Sequence, residues 1–292
     1  MARHRMLLRF LLLSLPVEMQ DAASASTPPA SLLSATESSS WKERRDAVAA
    51  LVEAVKAETD PGMGLALQVG YALPRLLEDT NVLVVEKALE LAGEVVTRLS
   101  SFPCIDALLF SLLGCIGVAR LSSASRAVEI VTLIGTHDTG SLTSLVKCLE
   151  NSLSTKAPKT LLRLLDASCC IVEDVFRSFG KDTQQQQQQG TNKKQVAFTP
   201  ALFQTLVSSI SSHFSNKTSQ VRAAAVDLAA LLSGYSANYA EQCEDPSAAL
   251  DAASQIDSSF RAVLPKGLEG DYDEVSISLQ CSHQNTLLTH VP

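Results

Sequence analysis

Apolar residues recur along this 292-residue chain at the three- and four-residue spacing of amphipathic helices. In an early segment, Val48, Leu51, Val52 and Val55 fall on one helical face. The same spacing returns in one segment after another from Trp41 to about Tyr235. This pattern predicts a succession of helices, each with one apolar stripe that has to be covered by its neighbours.

Short polar segments separate these predicted helices, and several carry side chains that favour helix starts. Paired helices that repeat at a period of roughly 40 residues are typical of HEAT or armadillo solenoids. We therefore predict an all-α fold, an α-solenoid of stacked HEAT-like helix pairs. The separating segments are Ser38–Ser40, Glu78–Asn81, Ser122–Ser125, Ser154–Lys159 and Ser215–Ser219.

The composition along the chain predicts three regions. Residues 1–39 form a leader and a linker rich in Ser, Ala and Pro, and residues 40–264 form the helical domain. Residues 181–195 contain the run Gln184–Gln189 and are expected to be a low-complexity loop inside that domain. A last helix is expected over 246–264, and the polar tail at 265–292 is expected to be disordered.

The leader resembles a signal peptide, because Arg3 and Arg5 precede the apolar run Met6–Leu13. Arg9 interrupts that run, which is also shorter than the ~20 residues of a membrane span. We favour an amphipathic leader on a cytosolic protein. A secreted helical protein stays open as an alternative, and the N-glycosylation sequon at Asn216 would fit that alternative.

Composition excludes several classes of function. A net charge of −7 disfavours bulk binding of nucleic acid, which needs a basic face. The seven cysteines show no spacing of a disulfide framework, so we expect reduced thiols. The five histidines form no zinc motif, and no phosphate-binding or nucleophile motif is present. We therefore expect neither an enzyme nor a cofactor or metal.

The chain's one tryptophan, Trp41, stands at a predicted helix start and is followed by Lys42, Arg44 and Arg45. A large aromatic side chain at such an edge is costly to expose unless a neighbour or a partner covers it. Two interpretations stay open, a staple of the first helix pair and a contact for another protein.

Four of these helix starts resemble those of TOG domains, the tubulin-binding HEAT modules of the microtubule polymerase and CLASP families. The resemblance covers roughly residues 16–264, and its order is most similar to a second TOG domain of the polymerases. The third turn, Ser122–Arg126, lacks a family signature. The matching segments are Trp41–Arg45, Asp79–Val82, Lys156–Lys159 and Lys217 with Val221–Ala225.

The resemblance implies a flat paddle whose turns grip an αβ-tubulin dimer along one edge and so regulate microtubule dynamics. It also implies a place in the cytoplasm at microtubules, the spindle and the centrosome. A second tubulin site would come from oligomerisation or from additional TOG domains in a longer parent chain. The implied tubulin-binding residues are Trp41, Lys42, Arg45, Thr80, Asn81, Lys156, Lys159, Lys217 and Arg222.

Each of these residues also has a simpler interpretation. Thr80 and Asn81 can serve as helix caps, the lysines can be solvated charges, and Arg222 can pair with Asp227. The alternative for the whole chain is a generic HEAT or armadillo scaffold that binds another protein through its broad helical face.

Overall fold

The computed structural model of the protein describes residues 30–57, 64–98, 104–118, 121–189, 200–240 and 246–276. Within these ranges all regular secondary structure is helical, which confirms the predicted all-α class. Most of the predicted leader lies outside the described residues. None of the described helices is both long enough and apolar enough to cross a bilayer.

The N-terminal unit ends at Cys104 and contains four described helices. Helix α2 packs along α4, α3 pairs with α4, and α1 lies against α2. This is the expected stacking of one helix pair on the next. The helices are α1 Ala30–Ala35, α2 Trp41–Ala57, α3 Gly64–Leu77 and α4 Val82–Arg98.

The C-terminal unit begins at Ile105 and stacks its helices in two layers. Helices α5, α7, α9 and α11 contact one another in order, and α6, α8 and α10 form the second layer. Such stacked pairs make a HEAT-like solenoid. The bounds are α5 Ile105–Val118, α6 Leu121–Gly135, α7 Thr139–Leu153, α8 Pro158–Gln189, α9 Pro200–Ser211, α10 Ser219–Ala240 and α11 Pro246–Val263. A short helix α12 follows at 269–276.

The predicted apolar stripes form the core of the stacked helices. Val48, Leu51, Val52 and Val55 of α2 are all buried. In α4 the residues before Ala88 show how the buried face is oriented, because Val84 is fully buried whereas the adjacent Val85 is partly exposed. The 3.6-residue period locates the buried face, and the neighbouring helices set its rotation.

Two predicted boundaries of helices are wrong. Helix α6 begins at Leu121, so Ser122–Ser125 lies within the helix and does not form a turn. Helix α8 begins at Pro158 and continues to Gln189, through most of the predicted glutamine-rich loop. Glutamine has a good intrinsic helix propensity, so a glutamine run that follows a helix can extend it.

Two segments expected to lack structure contain helices. Part of the predicted linker forms α1, and Thr36, directly after this helix, is buried. In the predicted disordered tail, α12 buries Tyr272 completely, and the Tyr272 hydroxyl donates to Asp257 Oδ1 of α11 at 2.8 Å. Arg261 of α11 adds an ion pair with Asp273, with Nη2 2.9 Å from Oδ1, so one buried aromatic residue and one ion pair join this mostly polar segment to the array. Residues 277–292 lie outside the described part.

Candidate protein-binding turns

Trp41 is the first residue of α2, and its side chain is partly exposed. Lys42 Nζ lies 5.9 Å and Arg45 Cζ 5.5 Å from the ring centroid, which is within the range of cation–π attraction. Arg45 also pairs with the exposed Asp46, with Nη2 2.6 Å from Oδ1. The ring is therefore held beside two cations, and part of its surface is still open.

The turn before α4 presents the second predicted group. Asn81 Oδ1 accepts the Leu83 amide N–H at 3.0 Å, so Asn81 caps α4 as expected. Asp79 Oδ1 accepts the Asn81 amide N–H at 2.8 Å, which fixes the shape of the turn. Thr80 between them is exposed. Thr80 can therefore contact a partner, while Asn81 already has a structural task.

Sequence reasoning missed the residue that joins these two helix starts, Arg44. Its Nε and Nη2 contact Asp79 Oδ2 and Oδ1 at 2.6 and 2.9 Å, a bidentate ion pair. Burial raises the pKa of Asp79, but the hydrogen bonds from Arg44 and the Asn81 amide and the charge of Arg44 outweigh it and lower the pKa below its usual value. The available signals in the sequence were an arginine within the Trp41–Arg45 segment and an aspartate in the turn before α4.

In the C-terminal unit, the turn before α8 carries Lys156 and Lys159. Both side chains are exposed, and neither is ion-paired with a residue that the structure describes. Lys159 is the second residue of α8, where a positive charge opposes the helix dipole. The two cations are available to an acidic partner.

The turn before α10 carries Lys217 and Arg222. Lys217 is exposed, whereas Arg222 is partly buried and donates from Nη1 to the carbonyl oxygens of Asn216 at 2.7 Å and Lys217 at 3.4 Å. The ion pair with Asp227 that we considered is absent from the contacts of the described residues. In the same described part, Nε and Nη2 of Arg222 have no partner.

His213 connects the two basic turns of this unit. Its Nε2 lies 3.0 Å from the Leu153 carbonyl oxygen, at the end of α7 and directly before the Ser154–Ala157 segment. A carbonyl only accepts, so Nε2 carries the proton. Burial lowers the pKa of His213, which outweighs the opposite effect of this hydrogen bond and favours the neutral ring. The turns of Lys156 and Lys217 are therefore held to each other.

The predicted residues thus fall into two groups within separate units. Trp41, Lys42, Arg45, Thr80 and Asn81 belong to the N-terminal unit, where Arg44 and Asp79 join their helix starts. The C-terminal unit holds the remaining four, joined through His213. The Ser122–Ser125 segment contributes no turn, and Ser123 Oγ is buried without a partner among the described residues.

Within the described ranges, no three His, Cys, Asp or Glu side chains cluster as metal ligands would. The five described cysteines are thiols and not disulfides; Cys115 and Cys148 are buried, and Cys170 is exposed. Burial raises the pKa of Cys148 to about 11, so its thiol stays protonated and unreactive at neutral pH.

The family model of the XMAP215/Dis1/CLASP TOG domain matches residues 30–244. The chain belongs to this family. The match begins with α1, so the TOG domain includes the helix that we had expected to be a linker. Among curated proteins, none matches the sequence significantly.

Solved TOG structures share the fold at low sequence identity. Mini spindles TOG3 from Drosophila melanogaster superposes with a TM-score of 0.52 at 16% identity, covering 80% of this chain and 94% of that one. A structure described as tubulin recruitment and assembly by microtubule polymerases with TOG-domain arrays gives 0.61 at 14%, covering 89% of this chain and 51% of that one. One on plus-end tracking by XMAP215, CLIP-170 and EB1 gives 0.53 at 16%, covering 82% and 96%.

Proposed function

We propose that this TOG domain is a non-enzymatic module that captures αβ-tubulin dimers through its inter-helix turns and regulates microtubule dynamics. Family membership and the polymerase structures named above support tubulin as the partner. The observation that carries the proposal is the partly exposed Trp41 ring, held at a helix start beside Lys42 and Arg45.

The N-terminal unit supplies the apolar part of the contact. A tryptophan can bury about 150–250 Å² at an interface, and rigid aromatic anchors of this kind dominate binding energy. Lys42 and Arg45 lie beside the ring and leave positive charge at the rim. Thr80 adds an exposed hydroxyl in the neighbouring turn. This group is suited to a partner with an apolar pocket that has an acidic border.

The C-terminal unit supplies the charged part. Lys156, Lys159 and Lys217 are exposed cations without ion-pair partners in the described part of the chain, and such charges accelerate association with an acidic partner. Arg222 differs from them because its Nη1 is already fixed on two carbonyl oxygens. Its remaining N–H groups are therefore preorganised to donate to a partner's carboxylate.

Tubulin as the partner implies a location in the cell. A chain that binds αβ-tubulin acts in the cytoplasm, at microtubule plus ends, the spindle and the centrosome. A single tubulin-binding module gains no effective concentration from a second site. Oligomerisation, or further TOG domains in a longer parent chain, would supply that second site.

The test is size-exclusion chromatography of the full chain with unpolymerised αβ-tubulin, wild type beside Trp41→Ala. Phe110→Ala is the matched control, because Phe110 is an aromatic residue that is 56% exposed on α5, in the other unit. Co-elution that is lost in Trp41→Ala and kept in Phe110→Ala supports the proposal. If Trp41→Ala binds as well as the wild type, the site is wrong.

One observation favours a second candidate function, a scaffold that binds another protein through the helical face. Phe110 and Val118 are 56% and 76% exposed on α5, and Gly114 between them leaves open space. Exposed apolar side chains in a row are typical of a protein contact. This function is favoured if Phe110→Ala loses a protein partner that the wild type binds, while Trp41→Ala binds tubulin as the wild type does.

A further inference from the structure

Arg44 stands in the middle of the Trp41 motif, yet its side chain points away from solvent. The side chains of Arg44 and Asp79 are only 16% and 9% exposed. Of the five N–H groups of a guanidinium, four donate: two to Asp79, and two from Nη1 to the carbonyl oxygens of Ser38 at 2.9 Å and Ser39 at 3.1 Å. Only one N–H group of the Arg44 guanidinium is therefore left for a partner molecule.

The four acceptor oxygens belong to two different segments of the N-terminal unit. Ser38 and Ser39 belong to the segment that leads into α2, whereas Asp79 belongs to the turn before α4. Asp79 in turn accepts the Asn81 amide N–H, so Arg44 reaches the second turn through one carboxylate. Trp41 lies three residues before Arg44, one turn back on the same helix.

We propose that Arg44 is a positioning residue for tubulin capture: it fixes the start of α2, and with it Trp41, against the Thr80–Asn81 turn, so that both turns meet the partner as one rigid surface. This inference rests on the proposed function. It explains why the motif has two adjacent arginines, since Arg45 faces the Trp41 ring while Arg44 faces the next helix pair.

Lysine cannot take over this task. A guanidinium holds a carboxylate and two carbonyls at fixed angles, whereas an ammonium is a point charge on a flexible chain. Arg44→Lys therefore keeps the charge and the helix propensity but releases the link between the two turns. Asp79→Asn is the complementary variant, because it removes the carboxylate charge and keeps an oxygen for the Asn81 amide.

Trp41 is the chain's one tryptophan, so its fluorescence reports on this helix start without any partner. In the full chain we expect Arg44→Lys and Asp79→Asn to shift Trp41 emission to the red and to increase its quenching by acrylamide. Arg177→Lys is the matched control, since Arg177 pairs with Asp174 and Glu173 inside α8 of the other unit. Unchanged fluorescence in both variants, with circular dichroism as in the wild type, overturns the inference.

Tubulin affinity then separates positioning from direct contact. We expect Arg44→Lys to weaken binding about tenfold, within the range measured for coupled neighbours. In a Trp41→Ala background it should cause a much smaller loss, because the aromatic anchor that it positions is gone. A tenfold loss in both backgrounds would mean that Arg44 binds tubulin itself, which also overturns the inference.

The inference and the proposed function fail in different ways. If the wild-type chain binds no tubulin, the proposed function fails and positioning for capture fails with it, whatever the fluorescence shows. If the wild type binds and Trp41→Ala does not, but Arg44→Lys binds fully, the function stands and the positioning role is wrong.

Discussion

Arg44 and Arg222 are each the fourth residue of a helix, and each fixes its guanidinium on the turn that precedes that helix. Nη1 of Arg44 donates to the carbonyls six and five residues earlier, and Nη1 of Arg222 does the same. The two arginines differ in the partners of their other N–H groups. Nε and Nη2 of Arg44 donate to Asp79, whereas Nε and Nη2 of Arg222 have no partner among the described residues. Arg44 therefore uses its donors within the fold, whereas Arg222 keeps donors that a partner could use.

Arg222→Lys should therefore weaken tubulin binding although the charge is kept. Losing a charge-assisted hydrogen bond of about 2 kcal/mol corresponds to roughly a thirtyfold weaker affinity. Arg177→Lys serves as the control, because its ion pairs lie within one helix. Analytical ultracentrifugation with αβ-tubulin measures both. Equal affinity for Arg222→Lys and the wild type would contradict the preorganised role of the guanidinium.

Lys217→Ala should act differently, because Lys217 is exposed and has no ion-pair partner among the described residues. Rim charges mainly raise association rates, and salt screens them. We expect a slower association rate at low ionic strength and little change in dissociation, as measured by stopped-flow mixing with tubulin. A faster dissociation that does not depend on salt would instead assign Lys217 to the centre of the contact.

The close approach of α5 to α8 gives a prediction about stability. A Cβ added at Gly117 would lie 2.7 Å from Thr160 Cγ2, whereas at Gly114 of the same helix it meets nothing within 4 Å. Gly117→Ala should lower the free energy of unfolding by about 1–3 kcal/mol. Gly114→Ala should raise it by about 0.5–1 kcal/mol, because glycine is a poor helix former.

Adding Thr160→Ser to Gly117→Ala removes the clashing methyl group and should restore most of the loss. Urea unfolding followed by circular dichroism measures all three variants. If the double variant is as unstable as Gly117→Ala alone, the clash is not the cause. Thr160 directly follows Lys159, so this packing lies next to the basic turn before α8.

The helix at 269–276 should contribute measurably to stability. Tyr272 is fully buried, and its hydroxyl and Ser233 Oγ both donate to Asp257 Oδ1, at 2.8 and 3.0 Å. Tyr272→Phe should cost about 1 kcal/mol and Tyr272→Ala about 3–5 kcal/mol. Tyr71→Phe is the control, since the Tyr71 hydroxyl has no partner in the described part. Thermal unfolding of Tyr272→Ala like that of the wild type would mean that the tail is disordered after all.

Asp138 gives a prediction for acid pH. It caps α7 by accepting the Ser141 amide N–H at 2.9 Å. Burial raises its pKa, but hydrogen bonds from His137 and Ser141 outweigh it and bring the pKa from 3.8 to about 2. Since the folded-state pKa is the lower one, this contribution to stability is complete above pH 3.8 and is lost as the pH falls towards 2.

Asp138→Asn separates the cap from the charge. Asparagine caps a helix about as well as aspartate but does not titrate. The difference in unfolding free energy between wild type and Asp138→Asn should stay constant above about pH 4.5 and shrink below it. Asp138→Ala should cost about 1 kcal/mol at neutral pH. A difference that does not change between pH 4.5 and 2.5 would contradict the lowered pKa.

The sequence determined the features that depend on near neighbours. The apolar spacing gave the helices and most of their buried faces, because a 3.6-residue period reflects the geometry of a single helix. Turn chemistry gave the cap at Asn81, whose bonds are all local. The segments around Trp41, Asp79, Lys156 and Lys217 led to the TOG family, which the family model confirms over residues 30–244.

Only the tertiary structure decided what depends on residues far apart in the chain. Arg44 and Arg45 are indistinguishable in the sequence, and Asp79, 35 residues away from Arg44, gives them different tasks. The tail from Pro265 is polar by composition, yet Tyr272 finds a buried site on α11. Such contacts depend on how one helix pair stacks on the next, and no local period of the sequence encodes that stacking.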